Sequence, residues 1–205
     1  MIAMMVTFTM SIMLPMYMEG ALGKTSSVAG LALLPAVICA GLAAPVGGKI
    51  YDKFGVKFLI PLGTGIVTVF VFLISLSKSD TSLVHLVIIY ICMNIGVGIF
   101  MSPSQTHGLN QLPKEYYPHG VAIVNTLQQV SAAMGSSLFI GIMSAAQINA
   151  LEVHHATNEV AIATGFSTAA FVVCGFAFVG LILSFFFGRN ISQVKDKEQV
   201  GCTTR

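Results

Sequence analysis

Two runs without a single charged side chain, residues 26–46 and 58–77, constrain this chain more than any other feature. Each is about the ~20 residues that carry a helix across a bilayer. Between them lies Gly47-Gly48-Lys49-Ile50-Tyr51-Asp52-Lys53-Phe54-Gly55-Val56-Lys57, short, charged and glycine-bearing. Such a stretch has to turn the chain round at one membrane face. Its three lysines assign that face to the cytoplasm, because short basic loops stay inside. Gly47 and Gly48 allow two helix ends to approach closely. Asp52, just ahead of the second run, is placed to cap the free N–H groups of the next helix.

Composition says the same of the whole chain. Of its 205 residues 55% are hydrophobic and 9% charged, against ~25% charged in soluble domains. Lipid has to be the solvent for such a chain, and only internally hydrogen-bonded helices or closed barrels survive there. Six apolar spans read out, at roughly 1–18, 26–48, 57–77, 82–101, 119–146 and 164–188. The expected fold is therefore all-α and polytopic. Residues 1–188 form a six-helix transmembrane bundle, followed by a charged, disordered cytoplasmic tail at 189–205. Alternate connections fall on opposite sides. Eight of the ten basic residues then lie on the side of the 47–57 turn, together with a polar loop 102–118 and the tail; only Lys24 and Lys78 lie opposite. Met1–Met18 is already apolar, with neither the basic region nor the cleavage site of a signal peptide. The chain reads as if cut from something longer.

The net charge of +2 is small and dispersed and gives no footing for nucleic acid. Cys39, Cys92, Cys174 and Cys202 form neither a disulfide frame nor a zinc spacing. His154-His155 is an adjacent pair without further ligands, so no metal site is expected. No nucleophile–base constellation appears within one span, so neither enzymatic activity nor a cofactor is expected.

The polar residues inside the spans are the candidates for a substrate path. The fifth span carries Asn125, Gln128 and Gln129 near mid-membrane, followed on one face by Ala132 and Gly135/Ser136. Amides at that depth must meet protein, water or substrate. Interhelical hydrogen bonding is the competing explanation. Asn94 is the one strongly polar side chain deep in the fourth span, with the same two readings. In the second span Ala40, Ala44 and Gly48 make a small-residue row suited to close packing, and Pro35 and Pro45 suit a kinked, mobile helix. The eight acids all fall in loops, at span ends or in the tail. That leaves Glu19, at the outer end of the first span, and His85, at the outer start of the fourth, as weak proton-carrier candidates.

The stretch GGKIYDKFGVK resembles the loop signature of the major facilitator superfamily, matching it at Gly48, Ile50, Asp52, Lys53, Gly55 and Lys57. The flanks SSVAGLALLPAVICAGLAAPV and HGVAIVNTLQQVSAAMGSSLFIGIMS are similar to the drug/proton antiporter branch with fourteen spans, the EmrB/QacA-like exporters, in their C-terminal half. The resemblance implies one half of a secondary transporter in the bacterial cell membrane. Its expected partners are the bilayer, protons, a small amphipathic or cationic substrate and a missing N-terminal half. It implies that Gly47, Gly48, Asp52, Lys53, Gly55 and Lys57 form a conformational loop motif. Six spans would be two inverted triplets. The alternative is a truncated or split non-transporting subunit that needs a partner, because the family's coupling acids lie in the other half.

Overall fold

The computed structural model describes residues 1–77, 81–152 and 157–202. Side chains are described as far as Phe185, apart from those of Phe54, Val56 and Lys57. The elements are α1 (Ile2–Gly20), α2 (Ser26–Phe54), α3 (Val56–Ser75), α4 (Leu83–Leu109), a 3-10 turn (Lys114–Tyr116), α5 (Tyr117–Glu152) and α6 (Asn158–Cys202). All six α-helices contain a stretch long and apolar enough to cross a membrane. The expected six-span, all-α fold is the one observed.

The helices outrun the sequence boundaries. α2 continues through the glycine pair and the lysines to Phe54, because Lys and Tyr are tolerable helix residues and Gly47-Gly48 alone does not stop a helix already formed. The turn is thereby reduced to one residue. Gly55, at φ 73° and ψ 174°, ends α2 and begins α3. Asp52 does not cap α3: it sits in the last turn of α2, and the capping position belongs to Gly55, which has no side chain to bond with. Pro35 and Pro45 lie inside the continuous helix α2. The expected polar loop 102–118 is mostly helix as well. α4 carries Pro103 in its interior and runs to Leu109, and the 3-10 turn leads straight into α5. α6 runs from Asn158 to Cys202, past the expected span end at 188; Lys, Gln and Glu there are good helix formers extending an existing helix.

α2 packs on α4, α4 on α3, α3 on α6, α6 on α5 and α5 on α1. Exchanging α1 with α4, α2 with α5 and α3 with α6 maps the α2–α4 contact onto α5–α1 and the α3–α4 contact onto α6–α1. The α3–α6 contact maps onto itself. The α5–α6 contact is the exception, extensive where α2–α3 is slight. The core centres on α1, whose Met10, Met13, Leu14, Tyr17 and Met18 are wholly buried. Tyr17 stacks on Phe166 of α6 at 4.4 Å between ring centroids. Methionine suits that place because its flexible thioether fills irregular gaps among several helices.

Backbones meet where glycines permit it. A Cβ on Gly47 of α2 would overlap the Ile99 carbonyl of α4, and a Cβ on Gly98 of α4 would overlap the Ala40 carbonyl of α2. Close approach of this kind is how helices gain packing in lipid, where hydrophobic burial offers little. Ala40 and Gly47 make these contacts, in register with the buried Ala36 and Ala43. The expected row of Ala40, Ala44 and Gly48 is displaced, since Gly48 has open space beside it.

Candidate functional site

The motif residues gather at one end of the bundle, around the α2–α3 turn. Gly47 is buried against α4. One helical turn on, the Tyr51 hydroxyl shares a hydrogen bond of 3.2 Å with Nδ1 of His107, the donor depending on the histidine tautomer. Their rings meet edge-on, with centroids 6.2 Å apart. Two contacts thus fasten the end of α2 to the end of α4. Asp52 and Lys53 stay exposed at that end, and the Lys57 side chain lies outside the described residues. Gly55 has a physical reason to be glycine. Its dihedrals fall in a region that only glycine enters without strain.

The mid-span candidates separate. Asn94 is 6% exposed, and its Nδ2 donates to the Tyr90 carbonyl one turn back at 3.0 Å. It belongs to the bundle interior. On α5, Gln128 is half-buried beside buried Ser131, Ala132 and Gly135, and Gly135 packs against Met5 of α1. Asn125 and Gln129 are exposed on the outer side of α5. The expected polar face is therefore split, and α4 and α5 touch too little to bring Asn94 to the α5 amides.

Glu19 and His85 are both exposed, at the end of α1 and the start of α4. Asp52, Glu115, Glu152 and Glu159 are exposed too, each at or near a helix end. Among the described residues no group of three His, Cys, Asp or Glu side chains is placed to share a metal ion. His154 and His155 lie outside the described residues, as do Lys78 and Asp80.

Sequence reasoning missed His107, because the three prolines of 102–118 suggested a loop. Its signal was the continued helical spacing of Phe100, Ser104, His107 and Gly108 past Pro103.

The outward faces of α2 and α5 are broadly apolar and unpacked. Leu31, Val37, Ile38 and Leu42 of α2 are each at least 60% exposed, and Met134 of α5 is 62% exposed.

Comparison with known proteins agrees with this architecture. The Major Facilitator Superfamily profile matches residues 1–136. The lincomycin resistance protein LmrB of Bacillus subtilis (strain 168) is 40% identical over 193 residues, 92% of this chain and 40% of that protein. LmrB of Listeria monocytogenes is 41% identical over 70% of this chain and 30% of its own length. The MFS-type transporter YcnB of Bacillus subtilis is 34% identical over 84% of this chain and 36% of its own length. The chain thus spans about two-fifths or less of the length of these curated relatives. Six membrane-length helices and bacterial relatives make it a multi-pass protein of the bacterial plasma membrane, and the chain belongs to the Major Facilitator Superfamily.

Proposed function

We propose that this chain is the C-terminal half of a proton-coupled exporter of small amphipathic or cationic drugs, in the fourteen-span branch of the superfamily. The carrying observation is the 40% identity to LmrB across 92% of the chain, since that relative is named for lincomycin resistance. Lincomycin is accordingly the first substrate to test. The exposed faces support the reading. Asn125 and Gln129 stand, with Thr126, among the exposed apolar side chains Ile123, Leu127, Val130 and Met134 of α5. Amides there stay unsatisfied in lipid and find partners only in protein, water or substrate. A second six-helix half covering α2 and α5 supplies that environment, and substrate passes between the halves.

One observation favours the narrower reading, a subunit that does not transport by itself. Every acid whose side chain is described is exposed at or near a helix end. Proton coupling draws on a titratable group inside the membrane. In this proposal the complementary half provides it.

Residues 1–205 are expressed in a pump-deleted bacterium, alone and together with the N-terminal portion of Bacillus subtilis LmrB. Lincomycin susceptibility and efflux of a fluorescent cation are measured with and without a proton gradient. The chain alone is expected to match the empty vector, and the pair to show gradient-dependent efflux. Efflux by the chain alone would overturn the need for a partner. Failure of a pair that demonstrably co-purifies would overturn the transport reading.

A further inference from the structure

A partly open cavity of about 430 Å³ lies between α1, α3, α4 and α6, away from the open faces of α2 and α5. It forms where the first turns of α1, the first half of α3, the last turns of α4 and the later part of α6 converge. That is the end of the bundle that carries the Gly55 turn. Its walls are mostly apolar, with Val67 and Phe100 among them; among the described residues no lysine, arginine, aspartate or glutamate lines it, and its ionisable groups are the Met1 amine and the His107 imidazole.

Its polar atoms are unusual for this protein. Most hydroxyls in the bundle return to a carbonyl of their own helix, as Thr64 does to Ile60 at 2.7 Å and Thr68 to Thr64 at 2.8 Å. Ser104 of α4 and Ser184 of α6 also line the cavity, yet among the described residues neither Oγ has a hydrogen-bond partner. Ser184 is only 8% exposed. Buried hydroxyls are ordinarily hydrogen-bonded, and here two from different helices border one space. His107 borders it as well.

We propose that this cavity is a binding site for a neutral amphiphile. The ligand has an apolar body and one carbonyl or hydroxyl group. The body lies against Val67 and Phe100, and the polar group takes hydrogen bonds from Ser104 and Ser184. A neutral ligand fits this lining: among its described residues there is no carboxylate to pair with a cation, and burial disfavours the charged form of the Met1 amine that would pair with an anion. The volume falls within the ~300–1,000 Å³ usual for small-molecule sites, and a largely apolar wall with a few placed polar groups is their usual make-up.

The test uses the whole chain in phosphatidylcholine nanodiscs and 4-benzoylbenzyl alcohol, a neutral photoreactive ketone. Adducts are mapped by mass spectrometry of peptides, with diphenylmethanol as non-reactive competitor. Adducts are expected at residues 64–68, 100–108 and 177–184, and excess competitor lowers them about tenfold. Ser184→Phe, which fills the space, lowers the adducts on 100–108 to a similar degree. It leaves those at lipid-exposed Leu31 and Leu42 unchanged. Should that variant fail to elute as a single species, Ser104→Ala with Ser184→Ala takes its place and is expected to weaken labelling in the same direction. Labelling confined to exposed residues, labelling that competitor does not reduce, or a phospholipid co-purifying in the cavity would each overturn the proposal. Transport plays no part in the readout, so the result stands apart from the function proposed above.

Discussion

Gly47 and Gly48 are neighbours in the sequence but not in what surrounds them. A side chain at 47 would run into the Ile99 carbonyl, a rigid backbone atom, whereas nothing lies within 4 Å of a Cβ at 48. Gly47→Leu is therefore expected to cost about 1–3 kcal/mol through overpacking. Gly48→Leu should leave stability near that of the parent. Thermal melts of the detergent-solubilised chain compare the two, and equal midpoints would mean that α2 and α4 do not approach as described. Gly55→Ala is expected to lose about 1–3 kcal/mol for a different reason, the strain of placing a Cβ at φ 73° and ψ 174°. A melt unchanged in that variant would remove the special dihedral. All three glycines were conspicuous in the sequence, but which of the pair touches a neighbour was not. That depends on helical phase. A row at 40, 44 and 48 and a row at 36, 40, 43 and 47 are both plausible small-residue stripes until α4 chooses between them. Asn125 and Gln129 illustrate the same limit. In a helix apolar nearly all round, hydrophobicity does not say which side faces the bundle.

At the scale of the helices, the ends of α2 and α4 behave as one unit. The glycine contacts bring the backbones together, and Tyr51 and His107 close the last turn across the gap. The pair is half-buried, so its hydrogen bond should contribute about 0.5–1.5 kcal/mol of coupling. A double-mutant cycle of Tyr51→Phe and His107→Leu, read by denaturation in mixed detergent, isolates that figure. Strict additivity would show that the two side chains do not cooperate. The number of helices was legible because six apolar runs need six spans. Their lengths were not. Lysines 49 and 53, and Pro103, read as loop signals, yet a helix held by its neighbours tolerates charge at the membrane face and an interior proline where other groups satisfy the freed carbonyl. Shortening the connections in this way is what places His107 and Ser104 on helix α4 rather than in solvent.

At the scale of the molecule, packing and charge make one joint statement about orientation. The end of α2, the start of α3, the end of α4 and the 3-10 turn before α5 lie at one end of the bundle, and they carry Lys49, Lys53, Lys57 and Lys114. The opposite end has Lys24, between α1 and α2. Basic residues near span ends are retained on the cytoplasmic side, so the Gly55 turn is expected inside and the α1–α2 connection outside. Lys24 and Lys53 are both exposed, which makes them fair reporters of side rather than of burial. In a background with the four native cysteines replaced by serine, Lys24→Cys should react with a membrane-impermeant maleimide in intact cells. Lys53→Cys should react only after permeabilisation. The reverse pattern would invert the whole bundle, and with it the side from which the cavity beneath Ser104 and Ser184 is reached. Equal labelling of both from outside would mean that the chain between them does not cross the membrane, against the apolar length of α2.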